Sequence, residues 1–270
     1  REEDKPTESM ILGRALHFLS LGERNFTRHF VRRPTKAGDG SAWNGNKTIC
    51  REWYEKQEKL KLTVIIPEQA EALVRMNRSL AAVPMIKDSG LLNGHIEQSF
   101  IWKDEETGLW IKGRPDVVPN DSGDFVDLKL IADISDSGIE HAIKSFGYHR
   151  QASLTMEGAS ILLDLPLRFR EPGSGEGMSW TLVFVEGKRP HAVEIVTLKH
   201  DDLARGMRDN RLARRLLKRC IDANDWPGPS GHQKDGRWLG LSKYHADDED
   251  YRARQIERQL AIGLTGEPNV

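Results

Sequence analysis

An α/β fold, one large domain with a central sheet flanked by helices, is what this chain predicts from three observations. At 270 residues it is long enough for a substantial single core. Strand-like runs near 96–103, 109–117, 124–130, 179–186 and 191–197 sit between helical ones. The hydrophobic fraction of 38% and charged fraction of 30% describe one core with a well-charged exterior and long polar loops.

The elements follow in order. Residues 1–8 are polar and expected to fray; 9–21 form an amphipathic helix carrying His17 between Leu16 and Phe18. Residues 22–47 read as a basic loop region containing Gly, Asn and Trp43. Helices follow near 48–58 and 67–81, the second opened by Pro67 and Glu68, a helix-start signal. Gly108 to Gly113 read as a strand leading to Asp116, and Asn120-Asp121-Ser122-Gly123 is a turn signal before the next apolar run. These strands are expected to pair as a β-hairpin. A single long helix is predicted near 138–163, then a Gly-, Pro- and Ser-rich loop at 170–177, two strands, and a basic helix near 200–224. Asp201 and Asp202 suit the dipole at the start of that helix. Past Trp226-Pro227-Gly228 the pattern weakens. The expected organisation is one domain over 1–240 with a peripheral tail over 241–270, and no internal repeat.

Chemistry concentrates in the hairpin. Gly113-Arg114-Pro115-Asp116 is followed nine residues on by Phe125-Val126-Asp127-Leu128-Lys129. Alternation on a strand projects Asp127 and Lys129 together, while Leu128 points into the core and leaves its carbonyl available. Hard divalent cations such as Mg²⁺ take carboxylate, carbonyl and water oxygens. Asp116, Asp127 and the Leu128 carbonyl meet that requirement, and a lysine two residues away can orient a water or stabilise phosphate charge. Acidic-x-Lys is cheap by itself: it recurs at Glu3-Asp4-Lys5 and Glu186-Gly187-Lys188, neither with a partner carboxylate on an adjacent strand.

Pro-Asp followed by Asp-x-Lys across a hairpin resembles the PD-(D/E)xK nuclease superfamily. Three further segments fit it. Ile11-Leu12-Gly13-Arg14-Ala15-Leu16-His17 is similar to the helix carrying a metal-ligand histidine, with Gly13 leaving room on its face and Arg14 beside the ligand. Gly147-Tyr148-His149-Arg150-Gln151-Ala152 resembles the helix after the active-site hairpin, and Glu97 in His95-Ile96-Glu97-Gln98-Ser99 stands where many relatives carry an acidic residue. Each has a bland alternative: His17 as a packing residue, Tyr148 as core with Gln151 solvated, Glu97 as an exposed strand residue.

The likeness covers roughly residues 9–240 and is nearest to the phage-type exonuclease VIII family and the related lambda-exonuclease-like group. It includes the Thr35-Lys36-Ala37-Gly38 loop and Trp226-Pro227 near the end. It implies a restriction-endonuclease-like core with a mixed central sheet. The implied activity is Mg²⁺-dependent 5′-to-3′ digestion of linear double-stranded DNA in phage-type recombination, with Mn²⁺ as a substitute ion. The implied partners are DNA ends, a single-strand annealing protein and further copies of the chain in a ring, a trimer or tetramer. Residue by residue, the resemblance gives His17, Asp116, Asp127 and the Leu128 carbonyl to metal, with Glu97 the weakest candidate. Lys129 goes to water activation, and Tyr148 and Gln151 to positioning. Leu130 departs from the small polar residue that relatives often carry after the lysine. Competing readings are an endonuclease or repair nuclease of the same fold, a non-catalytic DNA-binding module, and a structural Asp–Lys pair in an unrelated α/β protein.

A net charge of −1 removes the global basic footprint of a passive nucleic-acid binder. Local cations must then serve. Arg14 and Arg150 are near the site; Arg24, Arg28, Arg32, Arg33 and Lys36 form one further set, and Arg205, Arg208, Arg211, Arg214, Arg215, Lys218 and Arg219 another on the basic helix. Solvated or interfacial charge is the equal alternative for both sets. Cys50 and Cys220 stand alone, too few to ligate an iron-sulfur cluster. No signal peptide or membrane-length apolar run is evident, so the expected location is the cytoplasm of a bacterium or phage-infected host.

Overall fold

The computed structural model describes residues 6–22, 26–118 and 123–227, together with residues 243, 251 and 254. The turn at 120–122, Arg24 and nearly all of the 241–270 tail lie outside the described residues. One compact unit spans Arg1–Asp222 and a second Ala223–Val270.

The chain runs α1 (Glu8–Ser20), α2 (Phe26–His29), β1 (Phe30–Arg32), α3 (Thr48–Lys59), β2 (Thr63–Ile65), α4 (Pro67–Ala82), α5 (Pro84–Lys87), β3 (His95–Ile96), β4 (Phe100–Lys103) and β5 (Trp110–Gly113). It continues through β6 (Val117–Val118), β7 (Asp124–Ile131), α6 (Asp136–Phe146), α7 (Tyr148–Leu162), β8 (Ser179–Glu186), β9 (Val193–Thr197) and α8 (His200–Ala223). The central sheet has five strands in the order β3-β6-β7-β8-β9. The β7–β8 pair is parallel and the others antiparallel, so the sheet is mixed.

Period-2 alternation along β7 and β8 divides the core into two layers. Phe125, Trp180, Leu182 and Phe184 pack on one side with Ala152 and Met156 of α7 and Leu203 of α8. Val126, Leu128, Val183 and Val185 pack on the other with Leu16 of α1 and Leu73, Met76 and Leu80 of α4. Asp127 and Lys129 therefore emerge on the α7 side of β7, while α1 covers the opposite face.

Several expectations are corrected. The run near 96–103 divides into β3, in the central sheet, and β4, in a separate two-stranded sheet. The continuous strand near 109–117 is broken: β5 pairs with β4 in a separate two-stranded sheet, and only β6 reaches β7, through Val117 opposite Val126. Pro115 has no N–H to give a ladder, so the strand cannot run through it. The single helix near 138–163 is two helices, α6 and α7, separated by Gly147 at φ 67°. That left-handed position is open to glycine without a Cβ penalty, and it turns the axis so that α7 restarts at Tyr148. The 22–47 region also holds a short helix and β1, which pairs in parallel with β2.

Helix α8 lies across α7. Gly206 permits the close crossing, since a Cβ there would stand 2.4 Å from the His149 carbonyl oxygen. Asn210 Nδ2 donates to the Arg150 carbonyl at 2.8 Å beside it. The basic face of α8 is largely self-neutralised: Arg205 pairs with Asp202 at 2.6 Å, Arg208 with Asp209 at 2.9 Å, Arg214 with Glu157 at 2.9 Å, Arg215 with Glu106 at 2.5 Å, and Lys218 with Asp222. The exposed pairs among these contribute little to stability, but together with the buried Arg214–Glu157 pair they leave the helix a poor track for a phosphate backbone.

Candidate active site

The departure of β5 and the shortness of β6 leave β7 without a strand partner from Asp127 onward on that side, and side chains fill the gap. Leu128 N–H donates to Asp116 Oδ2 at 2.6 Å, and His17 Nε2–H donates to the Leu128 carbonyl at 2.6 Å. A carboxylate and an imidazole thus satisfy the two backbone groups that a neighbouring strand would have paired. Asp116 is fixed in turn by its own backbone, whose carbonyl accepts Glu97 N–H at 2.9 Å.

His17 is half-buried on α1, with its Nδ1 3.4 Å from Asp116 Oδ1 and 3.8 Å from Glu97 Oε1. Ligand atoms of His17, Glu97 and Asp116 all lie within 4.8 Å of one another, a cluster able to hold a metal ion. Glu97, the weakest of the expected ligands, is thus in the cluster. It sits at φ 54°, a costly conformation for a residue with a Cβ. Arg114 Nε pairs with Glu97 Oε2 at 2.7 Å. Arg14, His17, Phe18, Glu97, Arg114 and Asp116 line a cavity of about 510 Å³. Arg114 was not singled out by sequence reasoning; its adjacency to Pro115-Asp116 was the available signal.

On the α7 side, Asp127 is almost fully buried. Its Oδ2 meets Lys129 Nζ, and its Oδ1 accepts a long 3.5 Å hydrogen bond from Gln151 Nε2. The Tyr148 ring centroid is 5.2 Å from Lys129 Nζ. Tyr148 and Gln151 lie on one helix face and both reach the β7 pair, with Tyr148 also packing against the core beside Phe184 at 6.3 Å. Arg150 is exposed, as are Arg14, Arg28 and Arg32; Arg33 is partly buried. Gly13 is not needed for room: a Cβ there would make ordinary contact with Leu130 at 3.8 Å.

Electrostatics separate the two aspartates. Burial alone would raise Asp116, but hydrogen bonding and attraction from the His17 imidazolium, together with Lys129, hold its carboxyl below the usual range. Burial dominates at Asp127 and pushes it up to about 7 despite Lys129, with Asp116 adding repulsion. Burial disfavours a charged His17, yet its contacts with Asp116 and Glu97 outweigh that and raise it to about 10. Lys129 is desolvated, and the Asp127 and Asp116 carboxylates nevertheless keep it an ammonium.

These shifts make a pH prediction. His17 and Asp127 both bind protons more tightly in the folded chain, so each contributes stability that is complete below its unfolded value and lost as pH rises through the folded one. For Asp127 the window is 3.8 to about 7, and for His17 it is 6.5 to about 10. Metal-free protein should therefore lose stability between pH 7 and 9 at a slope approaching about 1.4 kcal/mol per pH unit. Urea titrations across that range should show the slope flattened in His17→Asn; identical slopes would contradict the imidazolium assignment.

The fold and the site define a nuclease domain of the PD-(D/E)xK superfamily. The chain belongs to the family described as a PDDEXK-like domain of unknown function (DUF3799), whose model matches residues 1–235. Among solved structures, a "putative exonuclease" from Eubacterium rectale is similar in fold, with TM-score 0.50 at 12% identity, covering 90% of this chain and 80% of that one. No curated protein sequence matches the chain. Nucleases of this superfamily generally use divalent metals, and the oxygen-rich donor set here suits a hard ion. No helix among the described residues is long and apolar enough to cross a membrane.

Proposed function

We propose that this chain is a Mg²⁺-dependent exonuclease that hydrolyses linear double-stranded DNA from 5′ ends. The observation that carries the reading is the convergence of Asp116, Asp127, Lys129 and His17 on the free edge of β7, with Gln151 and Tyr148 brought to the same residues. Asp116, Asp127 and the Leu128 carbonyl, with His17 and Glu97 completing the set, would hold the ion. When bound, Mg²⁺ supplies Lewis-acid polarisation of the phosphate and a more acidic water.

The protein's own residues account for the remaining demands. Lys129 is an ammonium beside Asp127 and can donate to a phosphate oxygen. Gln151 and Tyr148 restrict where that phosphate and the lysine can sit. Arg14 and Arg114, on the cavity that contains His17 and Asp116, offer guanidinium groups to flanking phosphates. The His17 imidazolium must surrender a ring proton before it can ligate, so ion binding should release protons.

Assembly into a ring belongs to the same proposal. Leu212, Leu216, Leu217 and Ile221 form an exposed apolar row on α8, 43–55% accessible, that a second copy could cover. A stable monomer at micromolar concentration by gel filtration and light scattering would remove the ring. For the activity, end-labelled linear duplex and covalently closed circle are incubated together with Mg²⁺. The linear substrate should be consumed while the circle persists. Equal loss of both would favour an endonuclease of the same fold.

A further inference from the structure

Two tryptophans and a tyrosine gather away from the acidic site. Trp43 lies 5.3 Å from Trp53 and 5.7 Å from Tyr54, and Trp53 lies 5.4 Å from Tyr54, all near-perpendicular ring pairs. Trp43 and Tyr54 line a cavity of about 650 Å³ together with Arg33, Ser41, Asn44 and Lys47. The Arg33 guanidinium is 5.8 Å from the Trp43 ring centroid. Its Nε is buried without a hydrogen-bond partner, and its Nη2 reaches Glu68 only at 4.0 Å. Lys47 is positioned at the same cavity by Ser41 Oγ at 2.6 Å and Asp39 at 3.5 Å.

This pocket is joined to the acidic site by β1. Phe30 at the start of β1 packs on Phe18 of α1 at 5.5 Å and lies under Arg14 at 5.7 Å. Arg33 is three residues on, about 10 Å along an extended chain. Flat aromatic faces, a guanidinium and a held ammonium are the combination that receives a planar base and its phosphate. The volume lies within the range of small-ligand sites.

We propose that the Trp43–Tyr54–Arg33–Lys47 pocket binds an unpaired nucleotide of a nucleic-acid strand, with the base against the Trp43 and Tyr54 rings and the phosphate on Arg33 and Lys47. The identity of the polymer rests on the nuclease reading above. The pocket contains no residue of the acidic cluster, so binding here needs no metal. During digestion it would hold the strand that has been separated from its partner.

The test is fluorescence anisotropy of a labelled oligothymidylate of about 12 nucleotides, within the span of single-strand sites, titrated with the full chain in EDTA. Wild type should bind, and Trp43→Ala should bind about 5- to 150-fold more weakly, the range for losing one stacked base. Trp43→Phe should recover most of the affinity, which a general folding defect would not allow. Arg33→Ala leaves the ring cluster intact and should weaken binding and reduce its salt dependence. Trp110→Ala, 72% exposed on β5, should bind as wild type. Unchanged affinity in both Trp43→Ala and Arg33→Ala would overturn the proposal. So would a wild type that degrades linear duplex with Mg²⁺ yet ignores the oligonucleotide, an outcome that leaves the nuclease reading standing. Trp43-dependent binding in a chain that cleaves nothing would support the pocket and sink the nuclease reading.

Discussion

Asp127→Asn should reduce single-turnover cleavage of linear duplex by about 10³-fold or more at saturating Mg²⁺. The substitution is nearly isosteric, so it removes charge rather than volume. Asp127 is 1% exposed in its side chain, and its carboxylate faces Lys129 on one oxygen and Gln151 on the other. On the proposed reading, amide replacement removes a hard anionic ligand, and it removes the partner that holds the Lys129 ammonium in place. Lys129→Ala should produce a loss of similar order through the phosphate rather than through the ion. The two variants should differ in metal binding: Asp127→Asn should weaken Mn²⁺ affinity in calorimetry, while Lys129→Ala should leave it comparable or tighter, since a nearby positive charge is gone. Full activity in either variant would detach the β7 pair from the chemistry. Full activity in Lys129→Ala with loss in Asp127→Asn would keep the ion and discard the lysine.

The residues around β7 were legible in the sequence because their roles depend on short-range alternation. Asp127 and Lys129 share a face of one strand, and Tyr148 and Gln151 share a face of one helix, whatever the rest of the fold does. His17 was legible as a candidate but not as a partner of the Leu128 carbonyl, since α1 and β7 are 111 positions apart at that contact. The break between β5 and β6 had a local signal in Pro115 that the apolar pattern on either side obscured. Gly147 offered the same kind of signal for the division of α6 from α7. Glu97 was harder: nothing in an Ile-Glu-Gln-Ser segment announces a left-handed backbone, found here with Asp116 accepting its N–H and Arg114 holding its carboxylate. The cations of α8 were misleading because their acidic partners come mostly from the same helix or from distant segments, so a count of arginines overstated what is available to DNA.

One of those cations should matter most to stability. Arg214 is 7% exposed and makes a two-pronged contact with Glu157 of α7, Nη1 to Oε2 at 2.9 Å and Nη2 to Oε1 at 3.0 Å, with Asp104 Oδ1 3.6 Å from its Nε. It therefore ties α8 both to α7 and to the segment after β4. Replacing it with Met keeps much of the volume but leaves two poorly solvated carboxylates without their cation, and should cost about 3–5 kcal/mol in urea denaturation. Removing one carboxylate as well should restore part of that loss: Arg214→Met with Glu157→Leu is expected to be more stable than Arg214→Met alone, a positive coupling across the pair. The same helix α7 carries Tyr148 and Gln151, so a loosened α7 should also lower the cleavage rate of the still-folded single variant, and the double variant should recover rate along with stability. A cost below about 1 kcal/mol would mean that water reaches these carboxylates and that α8 is held by Leu203 and Gly206 packing instead.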